Sequence, residues 1–347
     1  MNRIAMFAAI SASFLTCACG AESQTNAGQY ERVTVPGPSL AGNLDGDATD
    51  RPVSVYLPPG YATSPKRRYP VVYLLHGFTD SDTRWFGREG RHFVHVPKAV
   101  DAAYAAGVSE MIIVMPNAFT RFQGSMYGNS AATGDWETFV TRDLVAYVDS
   151  HYRTLATPAS RGLAGHSMGG YGTLRLAMKA PGIFSALYIM SPCCLAPIPE
   201  PDLKMFESAA RVQTVAGIAA ADFPTKATLA SAAAWSPNPA KPPLYIDLPL
   251  ADGKLVPEVL ARWAANSPNI MLHQYLPALR SYGAIAIETG DKDFVAVDGA
   301  KQLHALLDGY SIANELQVYD GDHVNRIHER LTKHLMPFFA AHLGNGP

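Results

Sequence analysis

The chain has 347 residues, 48% of them apolar and 17% charged, and a formal net charge of −2. That length suits one large domain or two small ones, and the apolar content can fill a sizeable core, so global disorder is excluded. The near-neutral charge, with no basic run interleaved with aromatics, argues against a nucleic-acid-binding surface.

The N-terminus reads as a leader. Asn2-Arg3 is a short positive region, and Ile4 to Leu15 is an apolar run of signal-peptide length. A helix needs about 20 residues to span a bilayer, so no transmembrane segment is expected. Ala18-Cys19-Gly20 and Cys19-Gly20-Ala21 are the cleavage candidates, giving a signal peptide over 1–21. A lipid anchor at Cys19 is a rival reading, but Thr16-Cys17-Ala18 matches that signal poorly. A frayed apolar terminus is the other alternative. The expected location is a periplasm or the medium. The mature chain then keeps only Cys193 and Cys194, which are adjacent and can pair only through a strained ring. No disulfide framework and no C-x-x-C site is expected.

Residues 22–50 are small and polar and read as a linker or edge segment. One domain is expected over 51–347. Val53 to Leu57 alternates and stops at Pro58-Pro59, as an edge strand does. Tyr69 to Leu75 and Met111 to Met115 are continuous apolar runs, the pattern of parallel strands buried on both faces. Helices are expected at Val96 to Ala106 and at Trp136 to His151, the second capped by Asp135. Further strands fall at Ser185 to Met190, Ala284 to Glu288 and Glu315 to Tyr319. Helices at Val297 to Leu307 and Arg326 to Leu343 complete the alternation. Such alternation predicts an α/β fold with a doubly wound, mostly parallel sheet. The Pro- and Ala-rich segment 195–280 breaks the rhythm. It is too long for a βα loop and reads as a lid-like insertion.

The most informative stretch is Gly165-His166-Ser167-Met168-Gly169-Gly170, which fits G-x-S-x-G. A short strand, Arg161 to Gly165, precedes it, and helical spacing from Tyr171 to Met178 follows. This strand–turn–helix context is what a nucleophile elbow requires. The turn is tight enough to demand glycine on both sides of the serine. The competing reading is a glycine-rich turn with a chance serine.

A serine nucleophile needs a base, an acid to orient it and donors for an oxyanion. In this fold class the order along the chain is Ser, then Asp or Glu, then His. Gly290-Asp291-Lys292-Asp293 follows one late strand and Asp322-His323 follows the last. His323 is the candidate base and Asp293 the candidate acid, with Asp291 as rival. Asp298 reads as a helix-start residue, while Asp320 and Asp322 lie too close to His323 along the chain. The backbone N–H groups of Met168 and Phe78 are the candidate oxyanion donors. Phe78 lies in the loop Leu75-His76-Gly77-Phe78 after a buried strand.

Several motifs together resemble the esterase D-like family of α/β-hydrolases, which holds feruloyl and acetylxylan esterases, S-formylglutathione hydrolases and mycolyltransferases. They are Tyr73-Leu74-Leu75-His76-Gly77, Trp136-Glu137-Thr138-Phe139, Gly165 to Gly172, Gly290-Asp291-Lys292-Asp293 and Asp322-His323. The resemblance covers about residues 50–343. It implies an α/β-hydrolase fold, with Ser167, Asp293 and His323 as the triad and Phe78 and Met168 as oxyanion donors. The double cysteine after Ser191-Pro192 and the long insertion depart from the family pattern.

Trp85, Tyr127, Trp136 and Cys193 are the candidate pocket residues, although Trp136 also reads as core at the start of its helix. No histidine pair has metal-ligand spacing with partners, so neither metal nor cofactor is expected. The expected activity is that of an exported serine carboxylesterase acting on a small-molecule or sugar-linked ester. An acyltransferase of the mycolyltransferase type, or a non-catalytic binding protein on the same scaffold, are the alternatives.

Overall fold

The computed structural model describes residues 27–197 and 203–344. The leader expected at 1–21, with Cys17 and Cys19, lies outside the described residues.

Apolar runs become strands buried on both faces. Strands β1 (Gln29–Val35), β2 (Arg51–Leu57), β3 (Val71–Leu75), β4 (Ile112–Pro116), β5 (Arg161–His166), β6 (Ala186–Met190), β7 (Ala284–Gly290) and β8 (Glu315–Tyr319) form one eight-stranded sheet. Its order is β1-β2-β4-β3-β5-β6-β7-β8. Strand β2 runs antiparallel to β1 and β4, and every other pairing is parallel. Parallel strands need crossovers, which puts helices on both faces.

Side-chain alternation divides the core between those faces. Val71, Tyr73 and Leu75 of β3 pack into one cluster, and Val72 and Leu74 into another. Helices α1 (Val96–Ala105) and, at the C-terminus, α9 (Met336–His342) cover the second cluster. The first lies under α2 (Leu144–His151), α3 (Met168–Lys179) and α8 (Val297–Gly309).

Between β6 and β7 the chain forms helices α4 (Leu203–Ala210), α5 (Val215–Ala220), α6 (Phe223–Trp235) and α7 (Pro257–Ala265). Phe206, Ile218, Leu229, Val259 and Trp263 give them a cluster of their own. Asp222 caps α6 by accepting from the Thr225 N–H at 2.9 Å.

Two differences from the sequence reading stand out. The segment 22–50 is not all linker, because Gln29–Val35 pairs along the whole of β2 and takes the sheet edge. Val53 to Leu57 is therefore interior to that edge. Trp136 to His151 begins as expected, with Asp135 accepting from the Thr138 N–H at 2.9 Å. It then widens into a π-helical turn at Phe139–Asp143 before α2. The C-terminal helix carries a similar π turn at Leu331–Leu335 before α9.

Candidate active site

Strands β3, β5, β6, β7 and β8 all run in one direction, so their C-terminal ends bring five loops to one edge of the sheet. Open α/β sheets place their ligands at this edge.

At the end of β5 the backbone turns sharply into α3. Ser167 sits at the turn with φ 56° and ψ −116°, a conformation rare for a residue with a side chain. Packing leaves room for nothing but glycine on either side. A Cβ on Gly165 would stand 2.3 Å from Gly169 backbone, and one on Gly169 would stand 2.0 Å from the Leu75 carbonyl oxygen. The close approach of α3 to β3 and β5 thus depends on both glycines.

His323, in the loop after β8, places Nε2 2.9 Å from Ser167 Oγ. Its Nδ1 lies 2.9 Å from each carboxylate oxygen of Asp293, in the loop after β7. Asp293 is 1% exposed. Its Oδ1 also accepts from the N–H groups of Val295 at 3.1 Å and Ala296 at 3.2 Å. Burial alone would push this carboxyl up, but the hydrogen bond and charge of His323, with the Val295 N–H, hold it below the usual carboxylate range. Asp293 therefore stays ionised and acceptor-only, which fixes the proton on His323 Nδ1 and leaves Nε2 free to accept from Ser167.

The rival carboxylates are occupied elsewhere. Asp291 is exposed and accepts from the Gly321 N–H at 3.0 Å. Asp298 lies in the first turn of α8. Asp320 pairs with Lys292 at 2.5 Å, and Asp322 caps the Val324 and Asn325 N–H groups.

Met168 is the first residue of α3, so its N–H has no acceptor within the helix. The loop carrying Phe78 lies against the elbow. A Cβ on Gly77 would be 3.5 Å from Ser167 Cβ, and the Phe78 and Met168 side chains meet at Gly124. His76 anchors this loop, with Nδ1 2.8 Å from the Gly77 carbonyl oxygen and Nε2 accepting from the Ala118 N–H at 2.8 Å.

Three of the expected pocket residues do not reach the open space. Trp85, Tyr127 and Trp136 are each at most 1% exposed. Instead they brace the site from beneath. The Tyr127 hydroxyl donates to the His76 carbonyl oxygen at 3.1 Å, and Trp85 Nε1 donates to Asp80 Oδ2 at 2.6 Å. Trp136 Nε1 donates to the Thr133 carbonyl oxygen at 2.9 Å, as the core reading of that residue anticipated. Cys193 is nearly buried and donates its backbone N–H to the Ser167 carbonyl oxygen at 3.2 Å.

Ser167 and His323 open into a cavity of about 360 Å³, lined by Phe78, Arg84, Arg91, Phe93, His166 and Phe223 among others. Sequence reasoning missed Phe93, Phe223 and His166. The ring of Phe223, from α6, stands 5.6 Å from that of Phe78. His166 is fully buried and places Nε2 2.8 Å from the His323 carbonyl oxygen, which ties the histidine loop to the elbow. Burial and the neighbouring His323 push its pKa down to about 3, so it stays neutral and donates from Nε2. Its place inside the G-x-S-x-G motif was the available signal. A second cavity of about 530 Å³, largely apolar, lies between Cys194 and the inserted helices, with Met205, Trp235, Leu260 and Trp263 in its walls. Among the described residues no group of His, Cys, Asp and Glu could hold a metal ion.

The chain is similar to known proteins over part or most of its length. An esterase of Mycobacterium tuberculosis is 36% identical over 139 residues, 39% of this chain and 27% of that protein. S-formylglutathione hydrolase of Bos taurus is 28% identical over 160 residues, 41% of this chain and 51% of that one. The matched stretch thus spans between a quarter and about half the length of these relatives. Among solved structures, a ferulic acid esterase aligns with 92% of this chain and 99% of its own at 22% identity, with a TM-score of 0.64. S-formylglutathione hydrolase from Staphylococcus aureus aligns with 90% of this chain and 99% of its own at 15% identity, with a TM-score of 0.58. These structural likenesses establish the α/β-hydrolase fold. A model of the family described as putative esterase matches residues 48–332, most of the sequence. The chain belongs to that putative esterase family.

Proposed function

We propose that this protein is an exported carboxylesterase that works through a Ser167–His323–Asp293 triad and an acyl-enzyme. The observation that carries the reading is the position of one imidazole, with Nε2 2.9 Å from Ser167 Oγ and Nδ1 2.9 Å from the Asp293 carboxylate. Export rests on the leader read at 1–21.

Ser167 Oγ attacks the ester carbonyl while His323 Nε2 takes its proton. Asp293, ionised and buried, holds the imidazole and stabilises the imidazolium that forms. The carbonyl oxygen becomes an oxyanion between the Met168 and Phe78 N–H groups, and the positive end of the α3 dipole adds to that field. His323 then protonates the leaving alcohol. Water, deprotonated by the same imidazole, releases the acid and restores Ser167.

Phe93 and Phe223 replace Trp85, Tyr127 and Trp136 as the aromatic contacts of the substrate. A cavity of about 360 Å³ suits a compact ester, one with an aromatic or sugar-linked group. The test is turnover of p-nitrophenyl acetate by Ser167→Ala. We expect a loss of about 10⁶-fold with an unchanged circular dichroism spectrum, since removing the nucleophile leaves only binding and oxyanion effects. Near-parental turnover would overturn the assignment.

A further inference from the structure

Strand β6 ends in Ser191-Pro192-Cys193-Cys194, beside the elbow. This turn is fixed at two points. The Ser191 N–H donates to the Glu288 carbonyl oxygen at 2.7 Å, and the Cys193 N–H to that of Ser167 at 3.2 Å. Both Ser191 and Cys194 have left-handed backbone, with φ 40° and 62°.

Adjacent residues in extended backbone point to opposite sides. Here the left-handed Cys194 brings its side chain round to that of its neighbour. The two sulfurs lie 2.8 Å apart, well inside the van der Waals contact of two thiols. Crowding does not explain the approach. Cys194 is only half-buried and faces the apolar cavity of about 530 Å³, so its thiol has space to turn away.

We propose that Cys193 and Cys194 are a modification site: they close into a vicinal disulfide, and that ring forms the wall between Ser167 and the apolar cavity of the inserted helices. The oxidant is a disulfide of the glutathione class or a protein disulfide. The Cys194 thiolate attacks one of its sulfurs, forming a mixed disulfide and expelling a first thiolate. Cys193 then loses its proton to water and attacks Cys194 Sγ, and the second thiolate leaves. The two cysteines give up two electrons and two protons in all, and the oxidant becomes two thiols.

The order follows from access. The hydrogen bond to Cys194 and burial push the Cys193 thiol well above its usual range, whereas Cys194 meets the cavity directly. The ring itself does not depend on the role of Ser167; its place in the substrate wall rests on the proposed function.

The test uses the full chain equilibrated with oxidised and reduced glutathione, then denatured in iodoacetamide and digested with trypsin. The peptide Ala180 to Lys204 contains both cysteines and no others. The expected product from the oxidised sample is that peptide two hydrogens lighter than its dithiol and unalkylated, taking two alkyl groups only after reduction. Ser167→Ala should form the same ring, which separates this test from that of the triad. Cys194→Ala, in which no ring can close, should show Cys193 alkylated in both buffers. Two alkylated cysteines at every glutathione ratio, or a glutathione adduct on Cys194 that never resolves, would overturn the proposal.

Discussion

Replacing Asp293 by Asn is the sharpest perturbation of the proposed machinery. The new side chain has nearly the same shape but exchanges one acceptor oxygen for an NH₂ donor. The Val295 and Ala296 N–H groups both donate to Oδ1, at 3.1 and 3.2 Å. They will hold the Asn carbonyl there, its two lone pairs engaged although it too stands 2.9 Å from His323 Nδ1, and place the NH₂ at the Oδ2 position, also 2.9 Å from that nitrogen. A donor at that point favours the imidazole with its proton on Nε2, aimed at Ser167, and so unable to take the serine proton. The imidazolium also loses its adjacent negative charge. A wrong tautomer of this kind costs about 10⁴-fold in kcat, which at 1.36 kcal/mol per decade is about 5 kcal/mol of transition-state stabilisation. The assay is kcat for p-nitrophenyl acetate, with urea unfolding to show that the fold persists. Asp291→Asn is the control, because that residue only caps a turn. A rate for Asp293→Asn within about tenfold of the parent would refute the reasoning, since the orienting carboxylate would then lie elsewhere.

Tyr127→Phe should leave the His76 carbonyl oxygen without its buried donor, costing about 1–3 kcal/mol in urea unfolding. Because Tyr127 does not touch the cavity, the KM for an aryl ester should stay within about twofold; a large rise in KM with no loss of stability would contradict the bracing role. Stability should also fall in acid through His166. Its folded pKa, about 3, lies below the ordinary 6.5, so from about pH 6.5 down to 3 the unfolded chain takes up a proton that the fold refuses. Unfolding free energy should therefore decline with falling pH by up to about 1.4 kcal/mol per unit in that window, and His166→Gln should flatten the slope. An unchanged slope in the variant would show that His166 does not carry it.

The site could be read from the sequence where chemistry is imposed by local sterics. Gly165 and Gly169 flank Ser167 because the backbone of α3 and β3 leaves no room for a Cβ, and that constraint appears as a short motif. The order of Asp293 and His323 was legible because each follows a strand that announces itself by apolar content. Asp293 was preferred over Asp291 from the sequence, and the physical reason lies in the fold, where burial and the Val295 and Ala296 N–H groups separate the two carboxylates. The pocket was misread for a different reason. Large aromatics near a site in sequence are most readily buried, as Trp85, Tyr127 and Trp136 are. Besides Phe78, the rings that face the cavity come from an irregular loop, at Phe93, and from a helix far along the chain, at Phe223. Neither position carries a local pattern. Strand β1 escaped notice because Gln29-Tyr30-Glu31-Arg32 is exposed on the sheet edge and shows no apolar alternation. The π turns before α2 and α9 keep helical apolar spacing, so periodicity could not reveal them.

The central claim is that Ser167 is the nucleophile, and covalent labelling tests it most directly. A fluorophosphonate reacts with a serine only where a base and an oxyanion site activate it. The account predicts a single phosphonyl adduct on the peptide containing Ser167, formed by the parent and absent from Ser167→Ala, and greatly slowed in His323→Ala. An adduct located on another serine, or none on a folded parent enzyme that turns over esters, would contradict it.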